Sequence, residues 1–289
     1  MGEFLRILVE QPEWEGDRVL AIQVRCARVT EQLTSVLIQQ ALNVESQTPL
    51  YFIKALDAQL QDICRTLQEP ASILNNESVL LQMYATEANI NELALNFEPS
   101  TSNGDVINRL ERLHRCLKAI ENWFQIYEQI PTSLAIGLTF DIYVQLIHCI
   151  VALIRLTKFD DFAAWDTAEV RRRIDIFSLL DRIADGMEKL PVAAGMVEDS
   201  SNGESAWSRI VKGLRLLKLG TQANILDAGD DVSTIRTKLD EIGTTVTSST
   251  GGSTNVEGQQ DAPIGDVATS FGDDPWLSAI FIPWDSMNF

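Results

Sequence analysis

Apolar residues recur at spacings of three and four through the first 220 residues, and no stretch there alternates apolar with polar. That rhythm matches one face of a helix and excludes half-buried strands. It is clearest in "DVINRLERLHRCLKAIENWFQIYEQI". There Val106, Leu110, Leu113, Leu117, Ile120, Phe124 and Tyr127 keep the stripe without a miss, and Pro131 stops it. Val19, Ile22, Cys26, Val29, Leu33 and Val36 trace another stripe. Phe52, Leu56, Leu60, Ile63 and Leu67 trace a third, which ends before Pro70. "SVLLQMYATEANINELALNF" reads as a further helix ending near Pro99. Apolar residues make up 45% of the 289, enough for a sizeable core. The fold class expected is all-α, an irregular multi-helix bundle.

"LAIGLTFDIYVQLIHCIVALIRL", residues 134–156, is apolar nearly all round and long enough to span a bilayer. Asp141, Gln145 and His148 nevertheless share one side of it, and an Asp near mid-bilayer is costly. It therefore reads as a central helix buried on three sides with a narrow polar edge, and not as a membrane span. "WDTAEVRRRIDIFSLLDRIADGMEKL" opens with Asp166 as an N-cap and Glu169 three residues on. Val170, Ile174, Phe177, Leu180, Ile183 and Met187 would be its buried face. "PVAAGMVEDSSNGES" reads as a loop, and "AWSRIVKGLRLLKLG" as a last short helix ending at Gly220.

The pattern then changes. "TTVTSSTGGSTNVEGQQDAPIGD" is rich in Ser, Thr and Gly, and burial there cannot offset the entropy of ordering. From Asp227 onward there are eleven acids and two bases, half of the chain's net charge of −18 in about a fifth of its length. Three parts are expected: a helical domain over 1–226, a disordered acidic linker over 227–271, and an acidic aromatic segment over 272–289, "GDDPWLSAIFIPWDSMNF". In that segment Trp276, Leu277, Ile280, Phe281, Trp284 and Phe289 stand among Asp273, Asp274 and Asp285. Pro275 could begin a short helix and Pro283 would end it. Acid keeps such side chains in water and steers them to a basic-rimmed groove on a partner, where they insert as anchors. The competing reading is that they dock on the helical domain and tie down the C-terminus.

Signs of catalysis are sparse. Cys26, Cys64, Cys116 and Cys149 stand singly without metal-ligand or redox spacing and read as buried thiols. His114 lies near Cys116 and His148 beside Cys149, but such neighbours point to different sides of a helix. Asp160, Asp161 and Asp166 are similar to the clustered carboxylates of terpene cyclases, yet the position for a third acid is Ala164. Arg171 to Arg173, and the row Arg209, Lys212, Arg215 and Lys218, read as solvated faces. No phosphate loop or nucleophile elbow is present. The acidic balance argues against a surface wrapped on nucleic acid. No catalytic, metal-binding, DNA-binding or cofactor residue is assigned, and the N-terminus lacks a secretory pattern.

One region resembles a family. "RLERLHRCLKAIENWFQIYEQIP" followed by "GLTFDIYVQLIHCIVALIRLTKFDDFAAWDTAEVRRRIDIFSLLDRIADGME" resembles the regulatory domain of fungal zinc-cluster transcription factors. The matching residues include Pro131, Gly137, Gln145, His148, Asp161, Trp165, Asp166, Val170, Arg171, Asp181 and Arg182. With weaker agreement from Asp17 to Phe97, the likeness covers about two thirds of the chain. The six cysteines of the family's zinc cluster are absent from these residues, so no zinc ligand or base-reading residue carries over. The resemblance implies a non-catalytic transcriptional regulator in the nucleus without its DNA-binding module. Its partners would be transcription machinery or coactivators, reached through the tail. It leaves room for a small-molecule effector between helices and for homodimers or heterodimers. The alternatives are an all-α scaffold without a transcriptional role and a small all-α enzyme using Asp141, Gln145 and His148.

Overall fold

A computed structural model describes residues 2–42, 50–66, 76–96, 102–160, 162–196 and 206–225. They form an all-α, multi-helix bundle with no strand among the described residues. The helices are α1 (Gly2–Glu10), α2 (Glu15–Leu42), α3 (Leu50–Thr66), α4 (Glu77–Glu92), α5 (Asn103–Gln129), α6 (Thr132–Ala135), α7 (Phe140–Lys158), α8 (Thr167–Arg173), α9 (Ile176–Ala193) and α10 (Ala206–Ile225). A 3₁₀ turn, Leu93–Asn96, extends α4. The expected boundary between 226 and 227, and both tail segments, lie outside the described residues.

The chain divides into two compact units, one through Ile176 and one from Phe177. In the first, α4 is the helix that the others share, since α2, α3, α5 and α7 all pack on it. Its buried residues run nearly all round: Val79, Leu81, Ala85, Ala88 and Ile90, with Gln82, Thr86, Asn91 and Glu92 among them. Asn76 caps its start by accepting from the Val79 amide at 3.1 Å. The expected stripes of α2 and α3 meet in one cluster of Ile22, Cys26, Val29, Leu33, Ile53, Leu56, Leu60 and Ile63, closed by Val79, Ile90 and Leu93 of α4 and its extension. On α5, Leu113, Leu117, Ile120 and Phe124 are buried as expected, and so are Cys116 and Trp123.

Four helix limits differ from the sequence reading. The helix expected from 134 starts at Phe140. Pro131 opens the single turn α6, and Thr139 is extended at φ −66°, ψ 151° before α7 begins. The helix expected from Asp166 onward is two helices, because Ile174 turns extended at φ −131°, ψ 111°. The loop expected from Pro191 begins later, since α9 runs through that proline to Ala193. It ends in a glycine cap. Gly195 sits at φ 69°, its amide donates to Val192 O and the Met196 amide to Pro191 O. The last helix does not stop at Gly220 but continues to Ile225, with Leu217, Gly220 and Thr221 buried. Tertiary burial there outweighs the roughly 1 kcal/mol helix penalty of a glycine. A further helix, α1, was not expected from the sequence.

In the second unit, α9 buries Leu179, Leu180, Ile183, Met187 and Leu190, and α10 buries Val211, Leu214 and Leu217. Arg215 donates to Glu188 at 2.8 Å and Lys218 to Asp181 at 2.6 Å, so this part of the basic row on α10 is paired.

Leu56 is fully buried where α2, α3 and α4 meet. Leu56→Ala should therefore cost about 3 kcal/mol through lost transfer energy and a residual cavity. Urea unfolding checks this, and a loss well under 1 kcal/mol would contradict the packing.

Candidate functional site

The residues expected to bind partners, Trp276, Leu277, Ile280, Phe281, Trp284 and Phe289, lie outside the described residues. Within the first unit, the polar residues picked out on α7 have definite places. Gln145 is buried and bridges three helices. Its Nε2 donates to Gln82 Oε1 on α4 and to Asp141 Oδ2 one turn back, both at 2.6 Å. Its Oε1 accepts from Trp123 Nε1 on α5 at 3.3 Å. His148 Nε2 lies 2.9 Å from Glu92 Oε2 at the end of α4. Arg155, two turns further along α7, pairs with the other oxygen of Glu92 and donates to Asn96 Oδ1 at 3.0 Å. The polar edge of α7 thus faces its neighbours and is engaged in packing. Of the described helices, α7 alone has the length and apolar content of a membrane span, and 61% of that window is buried within the bundle.

The sequence reading missed three arginines on α5. Arg109, Arg112 and Arg115 recur every three residues and lie toward one side of the helix, beside the apolar stripe. Arg112 is buried and donates to Asp57 Oδ2 on α3 at 3.1 Å and to Asn91 Oδ1 on α4 at 3.4 Å. Arg115 reaches Asp57 at 3.3 Å and Glu87 at 3.4 Å. Arg109 is buried and donates to the carbonyls of Ala94 and Leu95, which the ending helix leaves open. Its guanidinium lies over the rings of Phe159 and Phe162, 5.0 and 4.8 Å from their centroids. A regular spacing of arginines was visible in the sequence. The carboxylates on other helices that draw them inward were not.

The "FDDFAAWDTAEVRRR" stretch acts as a joint. Trp165 Nε1 donates to Leu156 O at 3.0 Å, and Arg171 Nη2 donates to Thr157 O at 2.9 Å, so both serve the carboxyl end of α7. Asp166 caps α8 as expected, accepting from the amides of Ala168 and Glu169. Arg173 forks onto Glu121 of α5 at 2.7 and 2.5 Å, and Arg172 pairs with Glu169. The three arginines are exposed, as expected of a solvated face, and each also has a partner within the first unit. Asp160 is exposed, and Asp161 lies outside the described residues. His114 packs against Trp165, with ring centroids 5.0 Å apart.

The thiols are protected. Burial pushes Cys26 up to about 12, and it pushes Cys116 and Cys149 up as well. Cys64 is only half-buried, unlike the reading made of it, and burial followed by the charge of Glu87 raises it too. Thiols so shifted stay protonated near neutrality and are weak nucleophiles. Glu92 moves the other way. Burial alone would raise its carboxyl, but the hydrogen bond and charge of His148, with Arg155, hold it below the ordinary 4.5.

Residues 132–287, from α6 through the described part of the second unit and on to two residues short of the C-terminus, match ATEG07667_C, a C-terminal domain family. The chain belongs to the ATEG07667_C family. Two relatives share more of it. Transcription factor opdL of Penicillium oxalicum is 28% identical over 220 residues, covering 74% of this chain and 38% of that protein. A transcription factor of Aspergillus terreus is 25% identical over 201 residues, covering 63% of this chain and 33% of that protein. The expected likeness to fungal transcription factors is thus borne out. This ATEG07667_C chain spans about two fifths and one third of the lengths of these relatives. No solved structure matches it.

Two outcomes follow from the buried charges. Asp57→Ala should cost about 3 kcal/mol in urea unfolding by leaving Arg112 buried without its carboxylate. The double change Asp57→Leu with Arg112→Met should recover most of that loss. Glu92 gives a pH effect of fixed sign. Its folded carboxyl releases its proton at lower pH than the unfolded one, so its contribution is full above about pH 4.5 and fades as pH falls through the folded value. Glu92→Gln should flatten the acid limb of stability against pH, and an unchanged limb would contradict the pairing.

Proposed function

We propose that this chain is a non-catalytic transcriptional regulator that acts in the nucleus through protein contacts. The helical domain is the regulatory part. Residues 272–289 form an acidic aromatic segment that reaches coactivators or the transcription machinery. The observation that carries this reading is the extent of the family match. It runs from α6 to residue 287, so it takes in Trp276, Leu277, Ile280, Phe281 and Trp284 together with the helices. Both relatives are named transcription factors, which supports the same role here.

The chemistry of the segment suits that task. Acids interleaved with large apolar side chains stay soluble until a complementary groove is met, and the aromatic rings then supply most of the contact energy. The catalytic alternative drew on Asp141, Gln145 and His148. All three now have packing roles: Gln145 bonds Asp141 and Gln82, and His148 meets Glu92.

Fusing residues 227–289 to an unrelated DNA-binding domain tests the reading. The wild-type fusion should activate a reporter, and the triple variant Trp276→Ala, Phe281→Ala, Trp284→Ala should lose most of that activity at equal expression. A silent wild-type fusion, or an equally active triple variant, would sink the reading.

A further inference from the structure

We draw no further inference here: the strongest candidate, the exposed apolar side chains of Phe4 and Ile7 on α1 with Trp14 in the turn that follows it, carries nothing because nothing in the structure shows what covers them.

Discussion

Glu92 is a carboxylate at the end of the most enclosed helix, and the position of α7 follows from the need to pair it. A lone buried carboxylate is costly enough that it would sooner take up a proton. His148 and Arg155 remove that cost from one side, and Asn96 takes the second arm of Arg155. These partners lie seven residues apart, two turns along one side of α7. A slip by a single position would separate both from Glu92 at once. Gln145 repeats the condition a turn earlier by meeting Gln82 and Trp123. Apolar packing alone would allow α7 several registers against α4 and α5, and the polar groups select one.

The same logic governs α5. Its apolar stripe explains why it packs, but not how it is aimed. Arg112 and Arg115 converge on Asp57 of α3, while Arg109 closes the open carbonyls after α4. Such charges add little net stability compared with well-packed apolar residues, so their effect is better seen in orientation than in energy. The Phe159 and Phe162 rings against Arg109 extend this arrangement to the joint between α7 and α8.

The long helices were legible in the sequence wherever one face is apolar, while the nine-residue α1 was missed. The stripes of α2, α3 and α5 could be read position by position, because a half-buried helix prints its burial as a period. α4 prints none, since its polar residues are as deeply buried as its apolar ones. The centre of the bundle was therefore assigned to α7, the most apolar stretch, although α4 is the shared helix. Helix limits failed where backbone geometry outweighed composition. Ile174 is a good helical residue by pattern and still turns extended, and Pro191 is passed because the helix closes a few residues later at Gly195. The arginine roles could not be read, because a salt bridge needs the address of its partner and Asp57 stands 55 residues from Arg112.

The residues that carry the family resemblance turn out to be joint and register residues. Gln145, His148, Trp165, Asp166 and Arg171 all bond helix to helix or close a helix end. Their pattern therefore identifies a scaffold and says little about an exposed working surface. That separation bears on how such a chain can act. Many of the described polar groups inside the bundle are paired with one another and are spent on holding helices in register. Recognition then falls to what is left outside the packing, which is charge sign and exposed apolar side chains. Half of the net charge of −18 falls in the sequence after residue 226, and the function proposed above assigns recognition to that stretch.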